Sequence, residues 1–266
     1  MNENQGPSAQ SAARSKKLGL ALGGGAARGL AHVGVIRVLE REGIPIDCIA
    51  GTSVGSLVGA AYTAGVRGDR LLELALSTRW RDLARLVWPR DGLVSFDKME
   101  SFLTTLLDDR GFSDVDIPYA AIAADLSTGE QVTLREGNLA AAVRASCSLP
   151  GIVTPVQIGD RLLVDGGIVN NLPISVVREL GADVVLAVGL GDPSAGPVRG
   201  AFQIGLRAIE FLLHHAGDDP STADVFLAIP LTGFSSLVRT SAGHRLVALG
   251  ERIAEEALPD IQAALS

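Results

Sequence analysis

The stretch Ile49-Ala50-Gly51-Thr52-Ser53-Val54-Gly55-Ser56 constrains this chain more than any other. A short apolar run enters a serine bracketed by two glycines and leaves into small residues that suit a helix. Where a strand turns sharply into a helix, the positions two before and two after the turning residue crowd each other, so both must lack a side chain. Gly51 and Gly55 meet that need. Such a turn pushes Ser53 out of the sheet into a cleft and aims the first N–H groups and the positive dipole end of the following helix at any oxyanion that forms there. Alone, G-x-S-x-G is a modest signal in a chain with 31 glycines. The strand before it and the helix after it favour the elbow over an ordinary glycine-rich turn.

The segments around it read as alternating strands and helices. Leu18 to Leu22 is a buried strand, Gly23-Gly24-Gly25-Ala26-Ala27-Arg28-Gly29 a glycine loop, and Leu30 to Glu42 an amphipathic helix closed by Gly43. Ile44 to Ala50 is expected as a second, parallel strand, so one βαβ unit delivers the glycine loop and Ser53 to the same edge of a sheet. Sites form at that edge in open α/β sheets. Arg67 to Asp109 reads as helical with breaks. Within it Trp80, Leu83, Ala84, Val87 and Trp88 recur at helical spacing, flanked by Arg79, Arg81, Arg85 and Arg90. That pattern suits a helix packed on the core with a solvated basic face, or a lid or contact at a membrane interface through Trp80 to Arg90.

Further on, Tyr119 to Asp125 and Gln131 to Leu134 are expected as paired strands, Asn138 as the cap of a helix through Arg144, and Arg161 to Val164 as a strand running into Asp165-Gly166-Gly167. Asp183 to Gly189, Val198 to His214, Val225 to Ile229 and Gly243 to Leu258 complete the pattern as strand, helix, strand and helix, with Asp192 to Gly200 a surface loop.

At 266 residues and 47% apolar composition the chain can bury a large core as one domain, expected over residues 17–266 after a polar, disordered tail at 1–16. No apolar run approaches the roughly 18 residues of a membrane span. A net charge of −7 argues against a general nucleic-acid binder, which needs clustered Lys and Arg. The two cysteines, Cys48 and Cys147, have no metal-ligand spacing and suit buried thiols in a reducing, cytoplasmic setting.

Serine is a poor nucleophile until a base takes its proton. Of four histidines, His32 sits mid-helix and His214 and His215 fall at a helix C-terminus, where imidazolium interacts well with the dipole. His244 comes late in the chain, as a Ser…Asp…His order requires, and stays open as a base. The other candidate is Asp165, delivered by a buried strand, with Gly166 and Gly167 leaving room beside it; in a dry cleft its basicity would rise. A turn is the plain alternative for that D-G-G. Gly24, Gly25 and Ala26 can offer backbone N–H groups to an oxyanion, and Arg28 can orient that loop. A dinucleotide fingerprint fails on spacing, and no acidic residue ends the second strand.

Together, Gly23 to Gly29, Gly51-Thr52-Ser53-Val54-Gly55, Ala145 to Pro150 and Asp165 through Pro173 strongly resemble the patatin-like phospholipases, and within them the bacterial proteins related to the neuropathy target esterase catalytic domain. The likeness spans about residues 17–173. It implies a three-layer α/β/α fold with a mainly parallel central sheet and a Ser-Asp dyad without histidine. By position, Ser53 becomes the nucleophile, Asp165 the base, and Gly24, Gly25 and Ala26 the oxyanion loop with Arg28 beside them. The resemblance implies hydrolysis of carboxylic esters of lipids, phospholipid or lysophospholipid, with no cofactor and no metal. The alternative is a catalytically weak lipid-binding or regulatory module using the same pocket. Many family members carry glycine at the place of Ala26. If that residue needs positive φ, its methyl adds strain of roughly 1 kcal/mol.

Overall fold

The computed structural model describes residues 16–78, 80–88, 90–191, 199–230 and 242–266, with residues 27, 80, 81 and 202 described by backbone alone. Residues 1–15 of the expected tail and 192–198 of the expected loop lie outside these.

The apolar run Leu18–Leu22 forms β1, and Cys48–Thr52 forms its parallel neighbour β2, with Leu22 opposite Gly51. Between them runs α1, Leu30–Arg41, and the chain leaves it through Gly43 at φ 66, a left-handed turn that glycine adopts without strain. β2 begins four residues later than the apolar run suggests. Pro45 has no N–H for a ladder, so pairing starts beyond it.

After Ser53, α2 spans Val54–Thr63 and α3 spans Gly68–Ser77. The expected helical stripe from Trp80 to Trp88 does not persist. Only Trp80–Leu83 is helical (α4); Arg85–Leu86 (β3) then pairs antiparallel with Val94–Ser95 (β4). The residue before a proline is driven out of the helical region, and Trp88 precedes Pro89. An ion pair from Arg85 to Asp97 ties this ribbon to α5, Asp97–Leu106.

Tyr119–Asp125 (β5) and Gln131–Leu134 (β6) form the expected antiparallel pair, followed by α6, Leu139–Ser146, whose N-terminus is capped by the Asn138 side chain. Val156–Ile158 (β7) and Arg161–Asp165 (β8) are also antiparallel, and α7 covers Ile174–Glu179. The chain continues through Val184–Leu190 (β9), Ala201–His215 (α8), Val225–Ile229 (β10) and Gly243–Leu265 (α9). α9 passes the expected end at Leu258 and carries on through Pro259, because Ile261 and Leu265 still bury apolar side chains.

The main sheet runs β10-β9-β1-β2-β5-β8-β7, with β6 on β5. The five strands from β10 to β5 are parallel, and β6, β7 and β8 supply an antiparallel margin. Alternation along the strands sorts side chains between two faces. Leu18, Leu20, Leu22, Ile49, Leu186 and Val188 join one core with residues of α1, α2 and α9; Ala21, Cys48, Ala50, Ala120, Val185 and Ala187 join the other with α7. The second face is built of small residues, so α7 lies close to the sheet, and a Cβ at Gly19 would collide with Val177. The result is a three-layer α/β/α fold with a mainly parallel sheet. Among the described residues, no helix is long and apolar enough to cross a membrane.

Candidate active site

The order in which strands join the sheet reverses about β1: β2 lies on one side of it and β9 on the other, both parallel to it. A crevice opens at the carboxyl ends of strands at such a switch point. The glycine loop leaves β1 there and Ser53 leaves β2 beside it.

Ser53 has φ 52 and ψ −123, a conformation that L-residues avoid, at a cost of order 1–2 kcal/mol. Its surroundings enforce it. A Cβ on Gly51 would lie 2.5 Å from the Gly55 carbonyl, and one on Gly55 would run into the Leu22 carbonyl. The Ser53 N–H donates to Ser146 Oγ at 2.9 Å, and the Ser53 carbonyl accepts from Ser56 Oγ at 2.6 Å and from the N–H of Leu57 at 3.2 Å. The backbone is thereby fixed on both sides, and the hydroxyl lines a cavity of about 860 Å³.

Asp165 ends β8 and is buried. Its N–H donates to the Ser148 carbonyl at 2.8 Å, and its Oδ1 accepts the Gly167 N–H at 2.8 Å. Burial raises its carboxyl from the ordinary carboxylate range to about 6, against the opposing effects of the Gly167 N–H and the Ser53 hydroxyl. The charged form is therefore costly but accessible at neutral pH. Cys147 lies against the same group: burial and the Asp165 charge push its thiol far up, which keeps it protonated and poorly nucleophilic.

The glycine loop divides its N–H groups. Gly23 donates to the Val188 carbonyl at 3.0 Å and Gly24 to the Asn171 carbonyl at 3.1 Å. The Gly24 N–H is thus already engaged; the N–H groups of Gly25 and Ala26 have no acceptor among the described residues. A Cβ at Gly24 would run into Asn171 Oδ1 and lie 3.3 Å from Ser53 Cβ, so glycine is needed there for close approach. Ala26 sits at φ 52, in the region where its methyl is strained. Arg28 is buried; its Nε donates to the Gly25 carbonyl at 3.0 Å, and burial lowers its pKa while the nearby Glu210 raises it. Gly166 packs against the Ile122 carbonyl and Gly167 against Leu213.

The histidines divide differently from expectation. His32 is fully buried and is held down to about 4 by burial, so it is neutral and its Nε2–H donates to the Gly23 carbonyl at 2.8 Å. It supports the loop from below. His244 is exposed on the first turn of α9 and is not part of the cavity wall. His214 does line the cavity, although its place at a helix end gave no hint of that. The walls are otherwise apolar: Val54 and Leu57 of α2, Met99 and Phe102 of α5, and Ile209 and Leu213 of α8 are among them. The polar lining residues, beside Ser53 itself, are Arg28, Thr78, Asp165, Asn171, Glu210 and His214. Sequence reasoning missed Ser146, Asn170 and Asn171, whose one signal was their place within the motif-bearing runs. Among the described residues, no cluster of metal-ligating side chains occurs.

A strained serine on a strand-to-helix elbow, a glycine loop beside it and a buried aspartate facing it define a serine-elbow protein of the three-layer α/β class. The chain belongs to the patatin-like phospholipase family, whose sequence profile matches residues 20–178. An uncharacterised NTE family protein of Mycobacterium tuberculosis is 40% identical over 190 residues, 70% of this chain and 52% of that protein. Mouse patatin-like phospholipase domain-containing protein 7 is 35% identical over 184 residues, 66% of this chain and 14% of that protein. The chain thus spans about half the length of its mycobacterial relatives. Among solved structures, VipD from Legionella pneumophila aligns with a TM-score of 0.65 at 12% identity, over 92% of this chain and 67% of that one. ExoU from Pseudomonas aeruginosa, in complex with SpcU, aligns with a TM-score of 0.51 at 13% identity, over 95% of this chain and 53% of that one. These two share the fold.

Proposed function

We propose that the chain is a serine acyl hydrolase that cleaves carboxylic esters of lipids, phospholipid or lysophospholipid, through an acyl-serine intermediate, with Ser53 and Asp165 as a dyad. The observation that carries this reading is that the Ser53 hydroxyl and the buried Asp165 carboxyl, raised to about 6, line the same largely apolar cavity of about 860 Å³. Family membership and the names of the relatives support it.

In the first half-reaction Asp165 accepts the Ser53 proton as Oγ attacks the ester carbonyl carbon. A base with a pKa just below neutrality combines the correct protonation state with useful basicity. The carbonyl oxygen becomes an oxyanion facing the N–H groups of Gly25 and Ala26 and the N-terminus of α2, and such donors contribute about 3–4 kcal/mol each. Asp165 then protonates the leaving alcohol, and the C–O bond of the substrate breaks. In the second half Asp165 takes a proton from water, hydroxide adds to the acyl carbon, and Ser53 leaves with the proton. Apolar walls from α2, α5 and α8 suit an acyl chain.

The exposed tip supports peripheral lipid contact. Leu86 and Trp88 are each 82% exposed, next to exposed Arg85 and Arg90, and neighbouring Leu83, Ala84 and Val94 line the cavity. The cytoplasmic setting expected from sequence fits two buried, free cysteines.

The test is labelling with a fluorophosphonate and mapping of the adduct. A covalent adduct on Ser53 of the folded protein, absent in Ser53→Ala, is expected. Lipid binding without any adduct would favour the binding-module alternative.

A further inference from the structure

Three separate segments must meet for this site to work: the elbow after β2, the loop after β1 and the aspartate at the end of β8. Among the described residues, one dipeptide touches all three. Asn170-Asn171 lies just beyond Asp165, joined to it through the 3-10 turn Gly166–Ile168. The Asn170 carbonyl accepts the Thr52 hydroxyl at 2.8 Å, and Thr52 is fully buried immediately before Ser53. The Asn171 carbonyl accepts the Gly24 N–H at 3.1 Å, immediately before the two free donors of the loop.

This carbonyl pair is itself anchored by the Asn170 side chain, which is 3% exposed. Its Nδ2 donates to Gln131 Oε1 at 3.2 Å and to Asp218 Oδ2 at 3.4 Å, and its Oδ1 accepts the Asp218 N–H at 3.4 Å. Asp218 Oδ2 also accepts the Ser175 N–H at 2.7 Å. Gly217, at φ 106, allows this contact, since a Cβ there would run into Asn170 Oδ1. The amide uses donor and acceptor ends at once, so neither an apolar residue nor a carboxylate can replace it.

We infer that Asn170 is a positioning residue for acyl transfer: held by Asp218 and Gln131, it sets the distance between Ser53 Oγ and the Gly25 and Ala26 N–H groups. The inference rests on the hydrolase reading above. It acts on the transition state, because the carbonyl oxygen needs those donors most when it carries charge, while the apolar cavity holds the ground state unchanged. A displacement near 1 Å in such a constellation costs about 100-fold in rate.

Two variants read this out. Thr52→Val removes the hydroxyl with little change of shape. Asn170→Asp replaces the Nδ2 donor by an acceptor facing Asp218 and Gln131. On a soluble short-chain p-nitrophenyl ester, each is expected to lower kcat about 10- to 100-fold with KM unchanged, and to slow fluorophosphonate labelling of Ser53 in parallel. Combined, they should lower it far less than the product of the two, since both act through one peptide. Adding Asp218→Asn to Asn170→Asp restores a donor to that contact, and partial recovery of kcat is expected. Wild-type kcat in folded Thr52→Val, or a raised KM with unchanged kcat, overturns the inference while leaving the hydrolase reading intact. A wild-type Ser53 that is never labelled overturns the hydrolase reading, and this inference with it.

Discussion

Ser53 and Asp165 stand level with each other across the sheet, with one strand, β5, between them. Thr52 pairs with Ile122 of β5, and the next residue of β5, Ala123, pairs with Asp165. Two strand spacings separate their backbones by about 10 Å, a span that two side chains reaching over β5 can close. The antiparallel run of β8 is what ends Asp165 at this row.

That geometry predicts an acid limb in the pH profile. The Asp165 carboxyl is raised to about 6, so kcat/KM should fall tenfold per pH unit below about pH 6 and level off above it. His32, held down to about 4, stays neutral across that limb and does not generate it. Steady-state rates on a soluble ester between pH 5 and 8 check this. A flat profile across pH 5 to 7 would remove Asp165 as the base.

Function here opposes stability. A carboxyl whose folded pKa lies above its unfolded value binds more protons in the native state between those two values, so its contribution to stability is present at low pH and lost as pH rises through about 6. Asp165→Asn keeps an acceptor for the Gly167 N–H and removes the buried charge. Thermal unfolding should therefore show stabilisation of the order of 2 kcal/mol at pH 8 and almost none at pH 4.

Ala26 is strained at φ 52. Ala26→Gly should relieve this, raising stability by up to about 1 kcal/mol, offset in part by the greater freedom of glycine in the unfolded chain. Denaturant midpoints measure the balance. Activity should be retained, since the backbone N–H remains in place.

The exposed pair Leu86 and Trp88 gives a prediction separable from chemistry. Replacing both with serine should reduce co-sedimentation with phospholipid vesicles several-fold and slow turnover of vesicle-borne lipid. Hydrolysis of a soluble ester should be unchanged.

What sequence revealed depended on how local each constraint is. β1, β5 and β9 are buried on both faces and read as apolar runs, and the glycines around Ser53 advertise a crowded turn within five residues. The ribbon of β3 and β4 escaped because Leu83 and Ala84 keep the helical spacing up to the point where Pro89 and pairing with Val94 override it. The engaged N–H of Gly24 escaped for a different reason: its acceptor, Asn171, is 147 positions away, and no periodicity encodes such a partner. Asp165 was legible as a candidate from its strand and its glycines, but its preference over His244 came from family resemblance. The structure adds that His244 is exposed and that His214 borders the cavity.

Those two histidines frame the most direct test of the dyad. Turnover of a lysophospholipid and of a soluble ester should be compared for wild type, Asp165→Asn, His214→Ala and His244→Ala at pH 8. Loss of about 1,000-fold or more in kcat for Asp165→Asn, with both histidine variants within a few-fold of wild type, is the predicted result. Near-normal turnover by folded Asp165→Asn, with either histidine variant inactive, would contradict it.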